Sequence, residues 1–168
     1  IMGQKIHPYG FRVGITRPWL SRWYAGKKMF GRLLVEDKRI RQHIMDAYRE
    51  SSIPRIEIER KGEDKVTVFI HTAKSGTLLG KKTNRLTELE KELSDITGGK
   101  MIDTRLIEVH KPELDGQLTA RRIADQIERR ISFRRAAKRE QDVAKQAGAR
   151  GVKILMAGRL GGAELASV

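Results

Sequence analysis

The spacing of apolar residues predicts a helix followed by a β-hairpin in the first half of the chain. Ile40 and Ile44 recur at helical spacing and predict a helix over residues 36–50, with Asp37 as its N-terminal cap. Two runs that alternate apolar and polar residues flank the turn at residues 61–64, which predicts a hairpin with one buried face.

A second helix and a third strand complete this pattern. Leucines at helical spacing predict a helix over residues 84–97, which ends at Gly98 and Gly99, and residues 101–109 alternate as a strand. The order helix, strand, strand, loop, helix, strand predicts an α+β layer domain over residues 36–111.

Residues 113–146 are rich in helix-forming residues but lack one continuous apolar stripe. An isoleucine face that includes Ile127 would continue onto Arg134 if the helix ran straight. Because burying an unpaired Arg costs several kcal/mol, we predict a break near residues 131–133. A short strand at 152–156 is predicted next, and residues 112–168 then form an incomplete second α/β domain.

Positive charge is concentrated at two places in the chain. Residues 1–35 contain seven Lys/Arg and no acid, and residues 120–139 contain eight Lys/Arg against two acids, whereas the stretch between them is balanced at sixteen of each. These two segments supply most of the formal net charge of +14. Such concentration is typical of a protein that binds a polyanion, and nucleic acid is the first candidate.

The first 35 residues form a basic, aromatic arm without helical or strand period. Both tryptophans of the chain lie here between cations, a combination that suits a tail that becomes ordered on RNA. The alternative is a disordered arm, or one whose tryptophans fill the core of its own domain. The candidate RNA-contacting residues are Lys5, His7, Arg12, Arg17, Trp19, Arg22 and Trp23.

A basic loop precedes the second predicted helix. It consists of Gly80, Lys81, Lys82 and Thr83. Helix-start amides and two lysines favour an anion, and glycine allows a sugar-phosphate backbone to approach closely. The loop resembles the Gly-x-x-Gly loop of KH domains, which clamps single-stranded RNA, although Thr83 replaces its last glycine. The alternative is an ordinary basic loop.

A second basic cluster lies on the helix after the predicted break. Arg134, Arg135, Lys138 and Arg139 fall within an arc of roughly 140° on a helical projection. Because no acid lies between Arg129 and Arg139, the repulsion among these cations requires a counter-charge. We interpret this face as a track for RNA phosphates; the alternative is a solvated helix surface.

The sequence gives little support to catalysis, metal binding or membrane insertion. There is no cysteine, the four histidines are far apart, and no nucleophile motif or apolar run of membrane-spanning length occurs. We therefore predict a non-enzyme without metal or cofactor that has no membrane partner. A lyase that acts on damaged DNA through a lysine stays open, because such a lysine has no local signature.

Several blocks of sequence together resemble one known family over essentially the whole chain. They are Met2-Gly-Gln-Lys-Ile-His-Pro8, Arg17-Pro-Trp19, Ile70-His-Thr-Ala73, Gly80-Lys-Lys82, Lys111-Pro-Glu-Leu-Asp115, Phe133-Arg-Arg-Ala-Ala-Lys-Arg139 and Gly158-Arg-Leu-Gly-Gly-Ala-Glu164. In order and spacing they resemble the bacterial or organellar form of small-subunit ribosomal protein S-three.

The resemblance implies a basic arm (residues 1–35), a type II KH domain (36–111) and a second α/β domain that normally continues some tens of residues further. It implies binding to small-subunit rRNA, proteins S-ten and S-fourteen as neighbours, and a location on a cytoplasmic or organellar ribosome. It also implies that Arg134, Arg135 and Lys138 help to open messenger RNA structure where the messenger enters the subunit. The glycine-rich loop with Arg159, Gly161 and Gly162 belongs to the same pattern. The alternatives are a free-standing KH-type RNA-binding regulator and, behind it, the lyase that acts on damaged DNA.

Overall fold

The chain divides into two compact units, Ile1–Glu108 and Val109–Val168. The structure is a computed structural model, and it describes residues 3–62, 64–80, 85–160 and 166–167. Each unit has its own set of secondary-structure elements.

The first unit is a mixed sheet with helices on one face. Its elements are α1 (Pro8–Arg12), β1 (Ser21–Arg22), α2 (Lys27–Ala47), a 3-10 turn (Arg49–Ser51), β2 (Arg55–Lys61), β3 (Lys65–Thr72), α3 (Ser75–Leu79), α4 (Arg85–Ile96) and β4 (Met101–Glu108). The strand order is β1-β2-β3-β4, in which β2 and β3 are antiparallel and the two outer pairs are parallel.

The core of this unit lies between the sheet and helices α2 and α4. Ile40 and Ile44 of α2 and Leu89 and Leu93 of α4 are fully buried. They pack with the inward-facing side chains of the hairpin, which are Ile56, Ile58, Val66, Val68 and Ile70. The predicted hairpin, the helix near 84–97, the strand near 101–109 and the α+β class are thus confirmed.

Two predictions about the first helix are wrong. The helix begins at Lys27, not at residue 36, and Asp37 is a fully buried residue inside it instead of its cap. The apolar side chains of the extra turns, such as Phe30 and Leu34, are about half exposed. They therefore form no buried stripe that a periodicity analysis would detect.

The second unit is built on a pair of helices. Its elements are a 3-10 turn (Pro112–Leu114), α5 (Gly116–Glu128), α6 (Phe133–Gln146), β5 (Ala157–Gly158) and β6 (Ala166–Ser167). Asp115 caps α5 by accepting hydrogen bonds from the amides of Gln117 and Leu118. The predicted break is confirmed, since α5 and α6 are separate helices joined through Arg130, whose φ is +61°.

The predicted strand at residues 152–156 is wrong. The described chain is irregular there, and the two-residue strand β5 begins only at Ala157, where it pairs with β6. Val152 and Ile154 are half-buried, but Leu155 is 76% exposed. In the described part of this unit no strand lies beside 152–156 to accept its backbone hydrogen bonds, so the alternation alone does not produce a strand.

Candidate nucleic-acid interface

Helix α6 presents four cations to solvent. Arg134, Arg135, Lys138 and Arg139 are all exposed, and we call this set the basic face. Within the described residues none of the four forms an ion pair with a carboxylate. The Arg134 guanidinium lies 5.6 Å from the centre of the Phe133 ring, a cation–π contact that leaves its charge uncompensated. The sequence-based expectation of a clustered, exposed face thus has a structural counterpart.

The opposite side of α6 is fixed against α5. Ala136 and Ala144 are buried, and so is Glu140. The Glu140 carboxylate accepts a hydrogen bond of 2.8 Å from Gln126 Nε2, and its other oxygen lies 3.1 Å from Arg122 Nε. Because these contacts are on α5, they set the rotation of α6 about its axis and so direct the basic face outward.

Asp142, an acid that the helical projection of the basic face did not include, lies beside that face. Asp142 lines an open groove together with Arg135, Lys138 and Arg139. On a helix, residues four and seven positions apart share a face, so Asp142 follows Lys138 along this surface. Its position was available from the sequence by extending the helical projection one turn further.

The N-terminal arm is docked on its own domain through strand β1. Ser21 and Arg22 run parallel to β2, and the Ile58 amide donates a 2.9 Å hydrogen bond to the Leu20 carbonyl. The arm is thus attached to the edge of the sheet at these residues. Residues 20–22 therefore follow the alternative prediction, in which the arm packs on its own domain.

A buried carboxylate holds the end of the arm. The Asp37 side chain accepts hydrogen bonds from Trp23 Nε1 at 2.8 Å and Ser21 Oγ at 2.9 Å, and it pairs with the Arg60 guanidinium. Asp37 is fully buried and the Arg60 side chain is only 3% exposed. Sequence reasoning missed this role, because an Asp near the start of an apolar pattern also fits a helix cap.

The neighbouring Glu36 extends this charged cluster. Its carboxylate lies 2.8 Å from Arg60 Nη1 and 2.9 Å from Lys100 Nζ. Burial by itself would raise the pKa of Glu36, but the hydrogen bonds from Lys100 and Arg60 outweigh it and lower the pKa below the usual value. Arg60 and Lys100 are therefore paired with carboxylates inside the fold, and their role is structural.

Arg22 and Trp23 of the predicted arm contact β2 and α2, and Arg12 donates a 2.9 Å hydrogen bond to the Pro8 carbonyl within the arm. Arg22 pairs with Glu57 at 2.9 Å and with Glu59 at 3.0 Å, and its guanidinium lies 5.7 Å from the Phe69 ring centre. Trp23 is half-buried at Asp37. Arg12 and the remaining predicted arm residues are exposed; together they are Lys5, His7, Arg12, Arg17 and Trp19.

His71 lies beside the same sheet carboxylate as Arg22. Its Nε2 is 3.2 Å from Glu57 Oε1, and Arg55 Nη2 is 3.4 Å from each ring nitrogen. Burial and the adjacent Arg55 charge lower the pKa of His71, against the opposing effect of Glu57. Neutral His71 is thus a structural residue of the sheet face.

The structure describes only part of the two predicted glycine-containing loops. Gly80 ends α3 with a φ of +63°, and α4 begins at Arg85, so the basic loop connects two helices. Arg159 is exposed. Lys81, Lys82, Thr83, Gly161 and Gly162 lie outside the described residues.

The described residues offer little for membrane or metal chemistry. In this part of the chain no helix is both long and apolar enough to cross a bilayer. Likewise, the described side chains include no group of three or more His, Cys, Asp or Glu that could hold a metal ion.

Comparison with known proteins finds two family models and many related proteins that match nearly the whole chain. Residues 39–114 match the KH domain, and residues 123–168 match the ribosomal protein S3, C-terminal domain. The small ribosomal subunit protein uS3 of Caldicellulosiruptor saccharolyticus is 48% identical over 98% of this chain and 74% of its own length. The proteins of the same name from Persephonella marina and Alkaliphilus oremlandii are each 47% identical over 98% of this chain, and the match covers 72% and 69% of their lengths.

Proposed function

The chain belongs to the uS3 family of small ribosomal subunit proteins, and from this premise we propose that it binds small-subunit ribosomal RNA as a structural component of that subunit. The KH domain supplies a fold used for single-stranded RNA, and the charge of the chain supplies attraction for phosphate. Binding, and not catalysis, is the function that this combination supports.

The observation that carries the finer proposal is the basic face. Four exposed cations on one helix, without a carboxylate partner in the described chain, repel one another unless an external anion lies between them. We propose that Arg134, Arg135 and Lys138, with Arg139 beside them, contact messenger RNA where it enters the subunit. The guanidinium and ammonium groups would then bind the phosphates of one strand. Because both strands of a duplex could not reach the face, this binding would favour separated strands.

The arm and the loop form the ribosomal RNA contacts in this proposal. The exposed arm residues Lys5, Arg12, Arg17 and Trp19 combine cations with an aromatic ring, which suits phosphate and base contacts. Lys81 and Lys82 supply the same charge between the two helices of the KH domain. We assign Arg159, which is exposed in the second unit, to ribosomal RNA contact as well. The arm (1–35), KH domain (36–111) and C-terminal domain (112–168) are thus assigned separate contributions.

Protein neighbours S-ten and S-fourteen are part of the same proposal. The N-terminal half of α2 exposes Met29, Phe30, Leu34 and Val35, each between 40% and 50%. Apolar side chains on successive turns of a helix favour a protein neighbour over a purely ionic contact with RNA.

The test replaces Arg134, Arg135 and Lys138 together with alanine in the full chain. Because the basic face is exposed and the back of α6 is held by Glu140, we expect normal assembly into the small subunit. We expect translation through a stable messenger hairpin to slow several-fold, measured as the ribosome's transit time across the hairpin.

A charge-matched variant separates a local effect from loss of net charge. Alanine at Lys111, Arg121 and Lys153 removes three exposed cations of the same unit away from the basic face, and we expect normal transit. Equal slowing on structured and unstructured messengers would contradict the messenger role of the basic face. Equal slowing by the control variant would contradict the assignment of the messenger role to the basic face in particular.

A further inference from the structure

Among the described residues three helices end in the same backbone motif, and one of them uses an unexpected residue. At the end of α5 the Arg130 amide donates to the Ile127 carbonyl at 2.8 Å, and the Ile131 amide donates to the Gln126 carbonyl at 3.0 Å. This is the Schellman pattern of hydrogen bonds. The same pair of bonds occurs around Gly98 after α4 and Gly148 after α6, with N···O distances of 2.8–3.3 Å.

The central residue of each motif has a left-handed backbone. The φ angle is +75° at Gly98, +97° at Gly148 and +61° at Arg130. Residues with a Cβ reach this region at a cost, and glycine does not incur it. An added Cβ at Gly98 or Gly148 would meet no atom within 4 Å, so it is backbone conformation, and not crowding, that favours glycine there. Arg130 therefore keeps a conformational cost that the other two helices avoid.

The helix dipole does not account for this choice. A cation near a helix C-terminus is stabilised by the dipole, but less than the left-handed conformation costs an ordinary residue. Helix α6 has Lys145 in its last turn and still keeps glycine at the left-handed position. Helix α5 already has Arg129 at its C-cap. A second arginine directly after it adds little further stabilisation through the helix dipole.

The Arg130 side chain has no structural task within the described residues. It is exposed, and in that part of the chain its guanidinium forms no ion pair, side-chain hydrogen bond or ring contact. It lies four residues before Arg134, so the two Cα atoms are at most about 14 Å apart. A single RNA strand on the basic face can therefore reach Arg130 as well.

We propose that Arg130 is a further phosphate-binding residue of the basic face, held in a left-handed backbone because its side chain contacts RNA. The inference rests on the proposed function, in which the basic face binds single-stranded RNA. The guanidinium would bind a phosphate of the same strand through two parallel N–H···O bonds. The chemical class of the ligand is thus the backbone of single-stranded RNA.

The test is Arg130→Gly in the full chain, with a 20-nucleotide oligouridine as the probe. We expect the dissociation constant to rise about tenfold at low salt, because one charge-assisted contact is lost. The slope of log K against log salt should fall by about 0.7, the value for one phosphate on a single strand. The melting temperature should rise by about 2–4 °C, since glycine relieves the backbone cost.

Three further variants define the comparison. Arg130→Asn tolerates the left-handed backbone without charge and should weaken binding as Arg130→Gly does. Arg130→Lys should retain most of the affinity. Arg121→Gln removes from α5 one exposed cation, which lies 3.8 Å from Asp125, and should bind as the unaltered chain does.

The outcomes separate this inference from the proposed function. If alanine at Arg134, Arg135 and Lys138 leaves oligouridine affinity unchanged, the basic face is not the RNA surface and both proposals fail. If that variant binds weakly while Arg130→Gly binds as tightly as the unaltered chain, only the role of Arg130 is overturned. Weaker binding of Arg130→Gly together with a higher melting temperature supports the inference.

Discussion

At the scale of single residues, Asp37 is the most consequential side chain of the first unit. A fully buried carboxylate is stable only when its charge and its hydrogen bonds are matched. Here Arg60 provides the charge, and Trp23 and Ser21 provide the remaining donors. One side chain thereby joins α2, the hairpin and the arm, so its removal leaves three elements without a common partner.

Replacing Asp37 with alanine should destabilise the protein by about 3 kcal/mol, because the buried Arg60 guanidinium would lose one of the two carboxylates that it pairs with among the described residues. The measurement is urea denaturation followed by far-ultraviolet circular dichroism. Asp46→Ala, at an exposed position of the same helix, is the control and should change stability by less than about 0.5 kcal/mol. A loss no greater than the control's would refute the role of Asp37.

The sequence predicted some of these residues and not others for a physical reason. The basic face follows from helical geometry within one short segment, so Arg134 and Arg135 could be placed from the sequence alone. The role of Asp37 depends on Arg60, 23 positions away along the chain, and no local pattern specifies that contact. The same limit applies to Arg22, whose carboxylate partners lie on β2.

At the scale of elements, β1 is the clearest case of structure formed by tertiary contact. Two residues cannot form a strand by propensity, and they do so here because the edge of β2 offers unpaired backbone groups. Trp23 adds a side-chain anchor, with its ring centre 5.4 Å from that of Phe30. Residues 20–23 of the arm are thus positioned by contacts within the first unit.

Docking of the arm predicts a specific pattern of amide hydrogen exchange. Trp23→Ala removes the hydrogen bond to Asp37 and the contact with Phe30, so we expect exchange of the Ile58 amide to accelerate roughly tenfold. Amides paired between β2 and β3 should exchange as before. Trp19→Ala is the matched control, since Trp19 is 66% exposed, and it should leave Ile58 protected. Unchanged exchange at Ile58 in the Trp23 variant would mean that the arm is held by other contacts.

Element boundaries were predictable where a buried stripe crosses the whole element. This holds for β2, β3 and α4, whereas β4 was predicted from its alternation although none of its side chains is fully buried. It fails for the N-terminal half of α2, whose apolar side chains are exposed, and for α3, whose five residues are too few for a helical period. It also fails at 152–156, where an apolar alternation exists without a described strand to pair with it.

At the scale of the whole molecule, the distribution of charge matches the division of labour that we propose. The near-neutral stretch between the two basic segments corresponds to the KH domain, in which the carboxylates Glu36, Asp37 and Glu57 neutralise nearby cations within the fold. The exposed cations of the arm and of α6 are left for an external polyanion. The paired charges buried in the KH domain thus serve stability, whereas the exposed cations are the ones that we propose bind RNA.

The most direct test of ribosomal RNA binding is crosslinking of the protein to RNA in cells, followed by sequencing of the attached RNA. We predict a dominant peak in one region of small-subunit ribosomal RNA and a thin spread of messenger fragments. The messenger fragments should decrease in the Arg134, Arg135 and Lys138 alanine variant, while the ribosomal peak persists. Reads spread over selected messengers with no ribosomal peak would contradict the account and indicate a free-standing RNA-binding regulator.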